Sequence, residues 1–90
     1  MPDQIQMAKA QAELLNDDAA AQVLKFVLKR SAATGWMIAK ELGQDTGLTI
    51  ASLNKLRGLS ILEGDGSGLD GFYSSTSLGY ALGETISKLF

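Results

Sequence analysis

The sequence contains no cysteine and no histidine, and each absence excludes a class of site. Without cysteine, the chain can form neither a disulfide framework nor a thiolate metal site. Without histidine, it lacks the commonest general base, the commonest metal ligand and the usual pH switch near neutrality. The sequence therefore implies no cofactor and no metal.

Long apolar runs are also missing, since none approaches the roughly 18 residues of a membrane-spanning helix. The N-terminus has no basic region followed by a hydrophobic stretch, so a signal peptide is not predicted either. We therefore expect a soluble, cytoplasmic protein that has no membrane partner.

Catalytic arrangements are not evident. Asp17 and Asp18 are adjacent, which suits a helix N-cap and does not oppose two carboxylates across a cleft. The glycine-rich segment Gly64–Gly71 lacks the Lys-Ser/Thr of a phosphate-binding loop and the ligand spacing of a calcium loop. We interpret this segment as the tip of a hairpin, and we expect no enzyme.

The composition is that of one small globular domain: 90 residues, of which 46% are apolar and 20% charged. The net charge of −2 is unevenly distributed. Residues 22–62 hold six basic and two acidic side chains, a charge of +4, whereas the remainder holds two basic and eight acidic ones, a charge of −6. This pattern favours a nucleic-acid face on an acidic body, although ordinary solvated helix faces are the alternative.

Helical spacing of apolar residues predicts helices over residues 1–15, about 17–31, 36–42, from about 49, and 78–90. An N-cap is placed within Asn16-Asp17-Asp18 and another at Thr34, and residues 31–35 are predicted as a turn. Trp36 is expected in the core, with the edge of an interface as the alternative. Short extended runs at residues 61–63 and 72–74 flank the glycine-rich segment, which predicts a β-hairpin.

The helix from about Thr49 has Ile50, Leu53 and Leu56 at every third position. We take this row as its buried side, which leaves Thr49, Ser52, Asn54 and Lys55 on the other face. A short helix that ends at Gly43 precedes it. Two helices joined this way predict a helix-turn-helix, whose second helix can enter the major groove of DNA.

The succession of three helices and a hairpin resembles the winged-helix domain of small MarR- and PadR-type regulators, over roughly residues 17–82. The leucines Leu53, Leu56 and Leu59 match the end of that family's recognition helix, and residues 61–63 match the entry into its wing. Two departures stand out. Ser60 occupies a position where the family usually has glycine, and the wing tip carries Asp65 and Asp70 without a basic residue.

The resemblance implies a mainly α (α+β) fold: a winged helix-turn-helix with a three-helix core, a β-hairpin wing and an extra helix at each terminus. It also implies a transcriptional regulator that binds double-stranded DNA sequence-specifically. Asn54 suits an adenine edge, and basic side chains suit guanine or phosphate. The predicted DNA-binding residues are Thr49, Ser52, Asn54, Lys55, Arg57, Lys40, Lys25 and Lys29.

Two other functions stay open. The acidic total charge and the acidic wing favour a winged-helix protein–protein interaction module that does not bind DNA. The second alternative is a ligand sensor with a pocket at a dimer interface, lined by Trp36, Phe26 or Tyr80, although nothing in the sequence names an effector.

The terminal helices suggest a homodimer. We divide the chain into a dimerisation helix at residues 1–15, a winged-helix domain at 16–77 and a second dimerisation helix at 78–90. A two-fold dimer would present two recognition helices about one DNA turn apart. Alternatively, both helices cover the core of their own subunit. The predicted dimerisation residues are Ile5, Ala8, Ala12, Leu15, Leu82, Ile86 and Leu89.

Overall fold

The computed structural model describes the backbone of residues 4–89 and the side chains of residues 4–85. Within these limits the chain forms five α-helices and three short strands, so the predicted mainly α class is confirmed. The helices are α1 (Gln4–Leu15), α2 (Asp18–Arg30), α3 (Gly35–Leu42), α4 (Thr46–Gly58) and α5 (Ser77–Leu89). The strands are β1 (Ala32–Thr34), β2 (Leu62–Asp65) and β3 (Phe72–Ser75).

Short polar side chains begin two of these helices, as the sequence predicts. The Asp17 carboxylate accepts a hydrogen bond from the Ala20 N–H at 3.1 Å at the start of α2. The Thr34 hydroxyl accepts one from the Met37 N–H at 3.2 Å at the start of α3. Each cap satisfies a backbone donor that has no partner within its helix.

The strands form one antiparallel sheet in the order β1-β3-β2, with Tyr73 of the central strand opposite Ala33 and Gly64. The predicted hairpin is confirmed, with a 3-10 turn at Gly68–Asp70 between its strands. The prediction of a turn at residues 31–35 was wrong. Ala32–Thr34 is a strand, but three small residues are too few for the alternation that identifies a strand in a sequence.

One apolar core joins all five helices to the sheet. Ala10 and Leu14 of α1 and Leu78 and Leu82 of α5 are buried with the side chains of the central helices. Gly79 allows this close packing, because a Cβ there would lie 2.6 Å from the Ile61 carbonyl oxygen. The terminal helices therefore cover the core of their own chain with part of their surface. The largest fully buried side chains of the central helices and the sheet are Val23, Leu24, Val27, Ile38, Leu53, Leu56, Ile61 and Tyr73.

Ser60 adopts a left-handed backbone conformation, with φ of 61°. Non-glycine residues enter this region at a cost of roughly 1–2 kcal/mol. The structure thus explains why glycine is common here in the resembled domains: the chain must turn sharply between α4 and β2.

Candidate nucleic-acid interface

The turn between α3 and α4 is fixed by a set of hydrogen bonds. Gly43, with φ of 62°, ends α3 by donating its N–H to the carbonyls of Ala39 and Lys40. The Asp45 carboxylate begins α4 by accepting from the Leu48 N–H at 3.1 Å. The Thr49 hydroxyl lies 3.1 Å from the Gln44 side-chain oxygen and 3.0 Å from the Asp45 carbonyl. These contacts hold the two helices in one relative orientation.

The buried face of α4 differs from the predicted one. Thr49 and Ser52 are 0% and 3% exposed, so the prediction that they contact DNA from the outer face was wrong. A row of every third residue drifts around a helix, because three residues turn it by only about 300°. The true inward stripe has the spacing i, i+3, i+4, i+7, which keeps it on one face. It comprises Thr49, Ser52, Leu53 and Leu56.

The outward face of α4 is almost uncharged. Its exposed residues are mostly small, and Leu48 is 47% exposed among them. Asn54 is exposed, as predicted, and is the polar side chain best placed to read a base edge. The helix begins at Thr46, one turn earlier than expected, and Asp45 before it was the overlooked N-cap signal. The exposed set is Thr46, Gly47, Leu48, Ala51, Asn54, Arg57 and Gly58.

Lys55 does not lie on this outward face. Its ammonium nitrogen is 3.0 Å from a carboxylate oxygen of Asp17 and 3.2 Å from one of Glu13. The hydrogen bonds to Asp17 and then to Glu13 raise the pKa of Lys55. Conversely, the Ala20 N–H and, after it, the Lys55 ammonium lower the pKa of Asp17. The charge of Lys55 is directed at the α1–α2 junction, which corrects its predicted role as a DNA contact.

Arg57 is exposed but anchors the hairpin. Its guanidinium donates to the Gly66 carbonyl at 2.8 Å and lies 5.8 Å from the centre of the Tyr73 ring. The Tyr73 hydroxyl in turn donates to the Gly68 carbonyl at 2.8 Å. Arg57 therefore holds the hairpin against α4. The prediction of a DNA contact did not include this structural role.

Trp36 is 56% exposed, so its predicted place in the core was wrong. Its indole N–H donates to the Asp70 carboxylate at 2.9 Å, which fixes the far side of the hairpin to α3. Gly35 permits the contact, since a Cβ there would lie 2.6 Å from the Leu69 Cα. The hairpin is thus attached to both helices of the helix-turn-helix, by Arg57 on one side and by Trp36 on the other.

A groove of about 220 Å³ lies between α3 and the first turn of α4. We call it the Lys40 groove. It combines an aromatic face, an exposed ammonium, an amide and a hydroxyl. No salt bridge involves Lys40 among the side chains that the structure describes. Its lining residues are Trp36, Ala39, Lys40, Gln44 and Thr46.

Lys25 and Lys29 lie elsewhere. They line a second groove, formed by α2 and the end of α3, together with Leu42. Lys40 and Leu42 are two positions apart, so their side chains leave α3 about 200° from each other. The structure therefore separates Lys25 and Lys29 from Lys40, although all three were predicted to bind DNA.

The residues predicted for dimerisation fall into three groups. Leu82 is fully buried in the core of its own chain, so its predicted place in an interface was wrong. The side chains of Ile86 and Leu89 lie outside the described residues. The α1 set is exposed, with Ile5 at 78% and Leu15 at 46%. Ala8 and Ala12 belong to the same exposed set, on the helix side away from the buried Ala10 and Leu14.

Two kinds of site are missing from the described part of the chain. Its carboxylates form no group of three that could hold a metal ion. None of its helices has the length and apolar character to cross a membrane.

The chain has a helix-turn-helix, α3 and α4, followed by a β-hairpin, β2 and β3. The hairpin pairs with β1, the short strand before α3. This arrangement defines a winged helix-turn-helix domain. No family model and no curated protein sequence matches the chain. Among solved structures, it is similar to "TubR bound to 24 bp of tubC from Bacillus thuringiensis serovar israelensis pBtoxis". The match has a TM-score of 0.74 and 19% identity over 93% of this chain and 95% of that one.

A second similar structure is described as a Type III plasmid segregation TubR. It matches with a TM-score of 0.72 and 20% identity, over 91% of this chain and 85% of that one. The likeness extends over α1 and α5 as well as the central domain, because the matches cover nearly the whole chain. At these identities the two comparisons establish the fold.

Proposed function

We propose that this protein binds double-stranded DNA in a sequence-specific manner and acts as a small winged-helix transcriptional regulator. The observation that carries the proposal is its likeness to TubR bound to 24 bp of tubC, which spans 93% of the chain. The exposed Lys40, in the groove beside the first turn of α4, supports it.

In this proposal the outward face of α4 enters the major groove. Gly47 and Ala51 are small and exposed, so the helix can approach the base edges closely. Asn54 pairs with an adenine edge, and Leu48 provides an apolar contact for a thymine methyl group. Lys40 and Thr46, on the rim of the Lys40 groove, bind phosphate and set the register.

The hairpin contributes little to this contact. Its tip carries Asp65 and Asp70 and no basic residue, so phosphates would repel it. The bonds from Trp36 and Arg57 to the hairpin keep these acids in place. Binding should therefore depend on the helix pair.

The most direct experiment selects duplexes from a random library and titrates the best of them by fluorescence anisotropy at two salt concentrations. We expect a steep loss of affinity with salt, with a slope close to the number of phosphates contacted. Asn54→Ala should weaken the preference for the selected sequence and leave binding to random duplex unchanged. Absence of enrichment from the library, or a salt-independent affinity, would contradict the proposal.

We also propose a homodimer, whose interface involves the exposed α1 residues Ile5, Ala8, Ala12 and Leu15. Sedimentation equilibrium should give twice the chain mass, and Ala8→Glu should give the monomer with an unchanged circular dichroism spectrum. Gln6→Glu, which adds the same charge to the same helix on a different face from Ala8, is the matched control. A wild-type monomer at high concentration would contradict this part.

Kinship with the MarR- and PadR-type regulators within the winged-helix class is supported by the leucine pattern around Leu53 and Leu56. A cytoplasmic location and a role without catalysis agree with a DNA-binding regulator. The alternative, a protein-interaction module, is favoured by one observation: the outward face of α4 is nearly uncharged. Wild-type protein that selects no duplex would favour that alternative.

A further inference from the structure

The second groove is formed by α2 and the end of α3, and the proposed DNA binding does not use it. It measures about 290 Å³. We call it the Lys29 groove. Its α2 members recur at intervals of three and four, which places them on a single helix face. The lining residues are Gln22, Lys25, Phe26, Lys29 and Leu42.

The charge of this groove is positive. The sequence has no acidic residue from Ala19 to Lys40, and Glu41, the acid nearest the groove in sequence, precedes Leu42 on the exposed side of α3. Lys29 is exposed and forms no salt bridge with the described side chains. The Arg30 guanidinium adds a further charge at the same end, 5.3 Å from the centre of the Phe26 ring.

The floor of the groove is apolar. Phe26 and Leu42 are half-buried and pack on the main core, with part of each side chain open to solvent. This combination suits a peptide, because an apolar side chain can enter the groove while an acidic neighbour meets Lys29.

We propose that the Lys29 groove binds an acidic peptide segment of a partner protein. An apolar side chain of the segment lies between Phe26 and Leu42, and a neighbouring carboxylate pairs with Lys29. Because this groove and the Lys40 groove lie on opposite sides of α3, peptide and duplex can be bound at the same time. The inference does not depend on the proposed DNA binding.

The test begins with short random peptides displayed on phage, selected on the full chain and counter-selected on Lys29→Glu. We expect the retained peptides to share a bulky apolar residue flanked by Asp or Glu. The best peptide is then labelled with fluorescein and titrated by anisotropy. Lys29→Glu should weaken it about tenfold or more, since a desolvated charge pair at an interface is replaced by repulsion. Lys9→Glu, the same change at an exposed site on α1, should alter the affinity by less than about twofold.

Further measurements separate the possible occupants of the groove. Replacing the apolar residue of the peptide by serine should also weaken binding, and saturating duplex should leave peptide affinity unchanged. The proposal is overturned if no peptide is enriched, if enriched peptides lack acidic residues, or if Lys9→Glu weakens binding as much as Lys29→Glu. It is also overturned if duplex displaces the peptide, or if Lys29→Glu abolishes self-association, since DNA or a second copy would then be the occupant.

Discussion

The two sides of α3 carry positive charge in different surroundings. On one side, Lys40 lines a groove that adjoins the first turn of α4, with Trp36 as an aromatic wall. On the other, Lys29 lines a groove on α2 together with Phe26 and Leu42. Both grooves combine apolar and polar groups, so position distinguishes the proposed partners: the Lys40 groove adjoins the helix that we propose to enter the major groove, and the Lys29 groove does not.

Two other basic residues are engaged in contacts within the chain and are therefore less available to a partner. Lys55 pairs with Glu13 and Asp17, and Arg57 holds the Gly66 carbonyl. Both residues lie on α4, but the Lys55 ammonium contacts the α1–α2 junction and the Arg57 guanidinium contacts the hairpin. The positive charge available for the proposed DNA binding is therefore confined to fewer residues than the sequence suggests, and we take Lys40 as its centre.

The largest effect should separate Lys40→Glu from Lys29→Glu. Reversing the charge at Lys40 replaces a phosphate contact by repulsion, so we expect duplex affinity to fall about tenfold or more and the salt slope to fall by about one. Lys29→Glu should change duplex affinity by only about twofold, through the screened long-range field. Anisotropy titrations of both variants at two salt concentrations check this. Equal losses of duplex affinity in the two variants would show that Lys40 and Lys29 belong to one DNA-binding surface.

The second effect concerns base readout on the Lys40 side. Asn54→Ala should weaken binding to the selected duplex by about 1–3 kcal/mol and leave binding to a random duplex unchanged. Gln22→Ala, which removes an amide from the Lys29 side, is the control and should affect neither. Competition titrations with both duplexes provide the measurement. If both Asn54→Ala and Gln22→Ala leave specific binding intact, α4 does not read the sequence.

A third effect tests whether Lys55 lies outside the DNA surface. Asp17→Ala removes the N-cap of α2 and one partner of Lys55, and should lower the free energy of unfolding by about 1 kcal/mol at neutral pH. It should leave duplex affinity nearly unchanged. Urea unfolding checks the first effect, with the exposed neighbour Asp18→Ala as the control. A large gain in specific duplex affinity on freeing Lys55 would contradict its assignment to the α1–α2 junction.

The pH dependence of this variant has a definite sign. The native structure holds the pKa of Asp17 below its ordinary value of 3.8. Its ionised form therefore stabilises the fold above that value, and this contribution is lost as the pH falls through the native pKa. The stability difference between wild type and Asp17→Ala should accordingly shrink in acid. A difference that stayed constant below pH 3.8 would show that the carboxylate charge is not involved.

The smallest expected effect is a gain in stability from a change at Ser60, and the two groove variants can be compared again in that stabilised protein. Ser60→Gly relieves a left-handed conformation and should raise the free energy of unfolding by about 0.5 kcal/mol, after the entropy cost of glycine. Ser67→Gly, at a residue with φ of −149°, should bring no gain. Thermal unfolding compares the two variants. Because Ser60 lines neither groove, the separation between Lys40→Glu and Lys29→Glu should persist in this background.

Local patterns in the sequence predicted the architecture, while contacts that leave no such pattern decided the site. Leu53 and Leu56 identified the recognition helix, and Asp17 and Thr34 marked helix starts, because burial and capping leave residue types at fixed spacings. The orientation of α4 was missed, since Thr49 is a polar residue whose hydroxyl is satisfied in the core by Gln44 and Asp45. No rule of spacing reveals such a partner.

Trp36 and Lys55 show the same limit. A lone tryptophan is usually buried to a large degree, but this one has a carboxylate from the hairpin within reach, 34 positions later in the chain. Lys55 likewise meets a carboxylate 38 positions earlier. Contacts across such separations depend on the folded arrangement of helices, which is why both residues were misplaced.

The central claim is that duplex DNA contacts the Lys40 side of α3 and leaves the Lys29 side free. Amide chemical-shift mapping with the selected duplex tests it most directly, and the single tryptophan provides an indole N–H signal in the Lys40 groove. We predict shifts at the Trp36 indole, Lys40, Thr46 and Asn54, with Gln22 and Lys29 unchanged. Shifts confined to Gln22, Lys29 and their neighbours on α2 would contradict the account.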